Sequence, residues 1–163
     1  MKRRETLALL GATLGGAAGP VRARPAAAGE TVAWPQVTLL DGTSWSGAQA
    51  QGKAVVVVFW SVTCPFCARH NQHVEKLRQA AAGKPLELLT ISRDADAQAV
   101  ARYLARRDLH FAVTLDSQPM AAALSTRNLI PLTVTVDRQG RLRQVIPGEM
   151  FEEDVLDLQK LAA

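Results

Sequence analysis

Cys64 and Cys67 flank the dipeptide Pro65-Phe66 and are the two cysteines of the 163-residue chain. At this spacing the sulfurs lie one helical turn apart, so they can close a disulfide on each other and reopen it by thiolate exchange. The pair sits where a buried strand runs into a long helix. That puts Cys64 at a helix N-terminus, where unsatisfied N–H groups and the helix dipole favour a thiolate. Such a place can lower a thiol pKa from about 8.5 into the range of roughly 3.5–7.5. Cys64 is therefore expected to attack a substrate disulfide, and Cys67 to resolve the mixed disulfide by intramolecular displacement. Holding both on one rigid helix end gives the second step a high effective concentration.

Two other readings use the same residues. A purely stabilising disulfide would close a very short loop, and the chain-entropy gain would be small. A metal site would draw on Cys64, Cys67, His70 and His73, spaced C-x2-C-x2-H-x2-H. Each three-residue step turns about 300° on a straight helix, so four such side chains spread around the helix rather than converge. Two or three of them, Cys64 and Cys67 with His70, could still hold copper(I) or zinc. On the plain reading, His70 and His73 are exposed on the helix, Arg69 and His70 point to solvent, and His110 has no role.

The elements that must position this site follow from pattern. Val37 to Leu40 reads as a short strand before an Asp41-Gly42 turn, and Gly52-Lys53 as a second turn. Ala54 to Trp60 is a continuous, β-branched apolar run, the mark of a strand covered on both faces. Pro65 suits a first helical turn, and Val74, Leu77, Ala80 and Ala81 recur at helical spacing, which predicts a helix over 65–82 stopped by Gly83. Leu86 to Ile91 is a second buried strand. Asp94 is a plausible cap for a helix from about Ala95 to Arg107, with Val100, Tyr103 and Leu104 facing inward. A short strand over 111–115, a short helix over 118–126, an alternating strand over 132–136, an Asp137–Gly140 turn, a return strand over 142–146 and a helix over 151–161 complete the chain. The order implies an α/β sandwich with a mixed sheet, in one domain.

Charge is concentrated at the start. Of 19 Lys and Arg and 15 Asp and Glu, residues 1–28 hold five and one, which leaves fourteen of each over 29–163. Lys2-Arg3-Arg4, the twelve-residue apolar run Leu7 to Ala18, and small residues before Ala23 and Ala28 look like an export signal cut after one of those alanines. That run is short of the roughly 20 residues a spanning helix needs. Arg3-Arg4 partly resembles a twin-arginine signal but departs from it at Thr6, so the Sec and twin-arginine routes both stand. The expectation is a mature protein over 29–163 that does not span the membrane and works in the oxidising periplasm. With charge balanced there, Arg102, Arg106 and Arg107 read as a solvated helix face, and no nucleic-acid partner is expected.

Gly52-Lys-Ala-Val-Val-Val-Val-Phe-Trp-Ser-Val-Thr-Cys-Pro-Phe-Cys67 resembles the strand and active-site segment of thioredoxin-fold thiol–disulfide oxidoreductases, most closely the exported TlpA/ResA-like group. Asp41-Gly42 is similar to that group's lead-in hairpin. Ile130-Pro131-Leu-Thr-Val-Thr-Val-Asp137-Arg-Gln-Gly140 resembles the segment in which a cis-proline faces the cysteines, Pro131 taking that place. The likeness covers roughly residues 32–162. It implies a thioredoxin-like three-layer sandwich with an N-terminal β-hairpin, and a dithiol enzyme needing no cofactor. Trp60, Pro65, Phe66, Ile130 and Pro131 would rim Cys64. A membrane partner would supply electrons, and protein disulfides, such as those of apocytochrome c, would be the substrates.

The chain departs from the family at three places. Val58 stands where thioredoxins carry a buried acid, so no base beneath Cys67 can be named. Thr63 replaces a common aromatic residue. Phe66 supplies no cation beside Cys64, which argues against a strongly oxidising site. The family resemblance also raises a peroxiredoxin-like peroxidase as a third reading. It ranks behind the others because Thr63 adjoins Cys64 and Cys67 lies only one turn away.

Overall fold

The structure is a computed structural model that describes residues 24–163. The export signal expected over 1–28 lies outside the described residues as far as residue 23. A two-stranded hairpin, β1 (Val37–Thr38) and β2 (Ser44–Trp45), is joined by the Asp41-Gly42 turn, where Gly42 takes φ +86°. The expected strand to Leu40 is shorter: Leu39 still donates its N–H to the Thr43 carbonyl at 2.8 Å but bridges to Thr114, and Leu40 N–H goes to the Val113 carbonyl at 2.7 Å. A four-residue helix, α1 (Gly47–Ala50), had no expectation. Its signal is nonetheless in the sequence, since Ser46 and Gln49 form a reciprocal capping box.

The main sheet is built from β3 (Ala54–Trp60), β4 (Leu86–Ser92), β5 (Ala112–Thr114), β6 (Leu132–Val136) and β7 (Leu142–Pro147), in the order β5-β4-β3-β6-β7. The β3–β4 and β4–β5 pairs are parallel; β3–β6 and β6–β7 are antiparallel. All seven β3 side chains are buried. Val55, Val57 and Phe59 enter one core, with Trp45, Met120, Leu124, Leu132 and Val134. Val56, Val58 and Trp60 enter the other, with Cys67, Val74, Leu77, Val100, Tyr103 and Val155. Burying each such side chain contributes about 1.5–3 kcal/mol, so the strand that delivers the cysteines is among the most firmly held parts of the fold. β6 is buried at all five positions instead of alternating, because it lies between β3 and β7 with a core on each face.

The second core is roofed by α2 (Pro65–Ala80), α3 (Ala97–Arg107) and α5 (Glu152–Asp157), and the first by α4 (Ser117–Leu124) with the hairpin. This is the mixed-sheet, three-layer sandwich with an N-terminal hairpin. Three local expectations are corrected. The last helix becomes a 3-10 turn over Leu158–Ala162, a common way for a helix to tighten at its end. Leu104 on α3 is only half-buried. The cap of α3 is Asp96, whose Oδ1 accepts from Gln98 N–H and Ala99 N–H at 2.9 and 3.1 Å, and not Asp94. Asp94 is held elsewhere, at the active-site loop.

Candidate active site

Cys64 is the N-cap of α2 and Pro65 its first residue, as the sequence implies. A proline loses nothing at that position, because its missing N–H is one that a helix start leaves unpaired. The Cys67 N–H donates to Cys64 Sγ at 3.1 Å, and no acidic residue occupies the first turn. A negative charge on Cys64 would therefore meet a hydrogen-bond donor and the positive end of a 16-residue helix. The two cysteines are joined as a disulfide with Cα atoms 5.2 Å apart. Cys64 is partly exposed, whereas Cys67 is 0% exposed, so only one sulfur is open to a macromolecule.

The Ile130–Pro131 peptide bond is cis, and the Ile130 carbonyl oxygen lies 3.9 Å from Cys64 Sγ. Pro131 is buried at the start of β6, and its carbonyl accepts from Gly148 N–H at 2.8 Å. The segment after β7 is thereby drawn beside the proline. Pro65 and Phe66 are exposed on the other side, with Arg69 stacked over the Phe66 ring and paired to Glu149 at 2.6 Å. Pro65, Phe66, Ile130 and Pro131 thus come from two elements to one sulfur. Trp60 does not join them at the surface. It is 0% exposed and packs on Tyr103 and Phe111, so it forms the floor under the cysteine helix rather than its rim.

His70 overturns its expected exposure. It is 0% exposed, on the same face of α2 as Cys67, Val74 and Leu77. Its Nδ1 accepts from Met150 N–H at 3.3 Å, which leaves the proton on Nε2 to donate to Thr133 Oγ1 at 3.1 Å. Burial, helped by nearby His73 and opposed by Glu149, pushes its pKa down to about 4, so the ring is neutral at pH 7. Both nitrogens are already bonded to protein, and neither is free for a metal. His73 is partly buried, with Nδ1 3.3 Å from the Met150 carbonyl. Among the described residues, no three His, Cys, Asp or Glu side chains converge as a metal site. The copper or zinc arrangement of Cys64, Cys67 and His70 is therefore not formed here. At His110 it is the backbone N–H, not the ring, that donates to buried Glu75 at 2.9 Å.

Val58 is fully buried in the same core as Cys67, so an apolar side chain occupies the family's acid position. Sequence reasoning placed His70 here only as a possible metal ligand, missing its burial and its bonds to Thr133 and Met150, and it missed Asp94 as part of this site. The signal for His70 was available. The stripe through Val74 and Leu77, extended back by two turns, passes through His70 and Cys67.

The Redoxin family pattern matches residues 27–161. The chain is 26% identical over 122 residues to the thiol-disulfide oxidoreductase ResA of Halalkalibacterium halodurans, covering 75% of this chain and 69% of that one. It is 36% identical over 75 residues to the soluble secreted antigen MPT53 of Mycobacterium tuberculosis, covering 45% and 42% of the two chains. Its fold is similar to that of a thioredoxin-family thiol:disulfide interchange protein from Chlorobium tepidum, with a TM-score of 0.74 at 20% identity, over 83% of this chain and 97% of that one.

Proposed function

The chain belongs to the Redoxin family and is a thiol–disulfide oxidoreductase, and from that premise we propose that it reduces protein disulfides outside the cytoplasm through a Cys64/Cys67 relay. The observation that carries the assignment of roles is the difference in access: Cys64 is partly exposed at a helix N-terminus, and Cys67 is buried behind it. The Cys64 thiolate attacks one sulfur of a substrate disulfide. That S–S bond breaks, and the second substrate sulfur leaves as a thiolate and takes a proton. Cys67, having given up its proton, then attacks the Cys64 sulfur. The mixed disulfide breaks, the first substrate sulfur leaves as a thiol, and the Cys64–Cys67 disulfide remains. Two electrons and two protons pass to the substrate.

An extended substrate segment would lie against Phe66 and pair with the backbone beside Pro131. A membrane partner would return the enzyme to the dithiol state, and the candidate substrates by family resemblance are apocytochrome c, metal-site assembly proteins and wrongly oxidised cysteines. The leader over 1–28 directs export to the periplasm. Of the two cleavage positions, the one after Ala23 is supported by packing, since Ala26 N–H donates to Ala123 carbonyl at 3.0 Å and Ala26 packs on the first core. No described helix is long and apolar enough to cross a membrane.

The test is a pair of substitutions. Cys64→Ser abolishes disulfide reduction, whereas Cys67→Ser accumulates mixed disulfides on Cys64 that are separable on non-reducing gels. A fully active Cys64→Ser protein would refute the relay.

A further inference from the structure

Residues 61–63 join β3 to Cys64, and the polar atoms of this loop converge on one side chain from outside it. Ser92 ends β4 opposite Trp60 in the parallel register, and Asp94 follows two residues later. Asp94 Oδ1 accepts from Ser61 Oγ at 2.9 Å. Its Oδ2 accepts from Val62 N–H at 2.9 Å and from Ser92 Oγ at 2.7 Å. Ser61 Oγ gives its proton to Asp94, so it accepts from Thr63 N–H at 3.4 Å and from Thr63 Oγ1 at 3.2 Å. The Ser61 carbonyl in turn accepts from Cys64 N–H at 3.3 Å. The donors run in one direction, from the residue beside Cys64 to the carboxylate.

We propose that Asp94 is a positioning residue for thiol–disulfide exchange, fixing the loop that presents Cys64 and placing a negative charge behind it. The proposal rests on Cys64 being the attacking sulfur. Geometry bounds the distance. Val62 N is 2.9 Å from the carboxylate, and two residues of extended chain span at most about 7 Å. The charge is thus within about 10 Å of Cys64 N. It opposes thiolate formation, against the favourable helix end. An attacking thiol of moderate pKa is the more nucleophilic one once ionised. The other charged and titratable groups on the segments meeting here are Cys67, Arg69, His70 and His73 of α2, Arg93 before Asp94, Arg127 ahead of Ile130, and Glu149 after β7. The variants below leave all of them in place.

Asp94→Asn and Asp94→Ala separate charge from anchoring. The asparagine oxygen can still accept from Val62 N–H and Ser92, while its NH2 donates to a Ser61 hydroxyl that has turned toward Thr63. Alanine removes every bond. The fully reduced protein is alkylated with iodoacetamide across a pH series, forming a C–S bond with loss of iodide, and the modified cysteine is mapped by mass spectrometry. Turnover on a protein disulfide is measured alongside.

Both Asp94 variants lower the alkylation midpoint, because each removes the carboxylate charge. Asp94→Ala loses about tenfold in kcat/KM through misplacement of the loop, and Asp94→Asn loses less. Ser61→Ala keeps the charge, so it lowers kcat/KM with the midpoint unmoved. If Asp94→Ala does not fold, the contrast between Asp94→Asn and Ser61→Ala decides. An unmoved midpoint in Asp94→Asn, or wild-type turnover in a folded Asp94→Ala protein, overturns the proposal. Alkylation of Cys67 ahead of Cys64 in the unsubstituted protein would instead overturn the reading of Cys64 on which it rests.

Discussion

His70 donates its Nε2 proton to Thr133 Oγ1 across 3.1 Å, tying the cysteine helix to the strand that begins beside the cis-proline. With the Met150 N–H bonded to Nδ1, one buried imidazole connects three walls of the site: α2, β6 and the segment after β7. Its neutrality is what allows this, because a protonated ring would face the Met150 donor with a second donor.

That neutrality makes stability depend on pH. His70 is held at about 4 when folded, chiefly by burial, and returns to about 6.5 when unfolded. Below 6.5 the unfolded chain gains a proton that the folded chain refuses, so the stability it contributes is full above pH 6.5 and falls as pH drops toward 4. Between pH 7.5 and 5 the loss is about 2 kcal/mol. Urea titrations at both pH values should show this loss in the unsubstituted protein and less of it in His70→Gln. Equal losses in the two proteins would contradict the assignment.

Thr133→Val removes the acceptor and keeps the shape. It strands a buried N–H, at a cost of about 1–3 kcal/mol. A lower urea midpoint with an unchanged slope is the expected result. An unchanged midpoint would mean that the His70 bond contributes nothing.

Phe66 is 58% exposed beside Cys64, so it can meet a substrate without supporting the core. Phe66→Ala should raise KM for a protein disulfide about fivefold, the effect of losing one apolar contact of about 1 kcal/mol. Reactivity toward dithiothreitol, which is too small to span the rim, should stay within about twofold. Parallel losses on both substrates would place Phe66 outside docking.

The bonded nitrogens of His70 also bear on metals. Metal affinity of the reduced dithiol should be the same in His70→Gln as in the unsubstituted protein, read by competition with a zinc chelator. A marked loss of affinity would restore His70 as a ligand.

Most of this site could be read along the chain wherever local chemistry decided position. The Val-rich run before Cys64, Pro65 at the helix start, and Pro131 before an apolar strand each carry their own reason for being where they are. The rest depended on what packs against what. Trp60 looks like a rim residue in the sequence because it precedes the cysteines by four positions, but the last residue of a central strand points into the core. His70 reads as exposed because histidine is polar, and only the sheet behind α2 shows that Thr133 and Met150 satisfy it. Asp94 reads as the cap of α3 in sequence because it lies just ahead of the helical pattern. The parallel pairing of Trp60 with Ser92 brings Asp94 to the active-site loop and leaves the cap to Asp96. A base beneath Cys67 was not legible because Val58 holds the family's acid position, and the structure bears out that apolar occupancy.

If Cys64 and Cys67 form a reducing dithiol couple, the reduction potential of the purified protein shows it. Equilibration in glutathione and dithiothreitol buffers, with metals excluded and the disulfide fraction read by mass, gives that value. The expected result is a reversible two-electron couple below about −220 mV, fit for a reductase resupplied with electrons in an oxidising compartment. A couple near −120 mV, the range of disulfide donors, or the lack of any reversible couple, would contradict it.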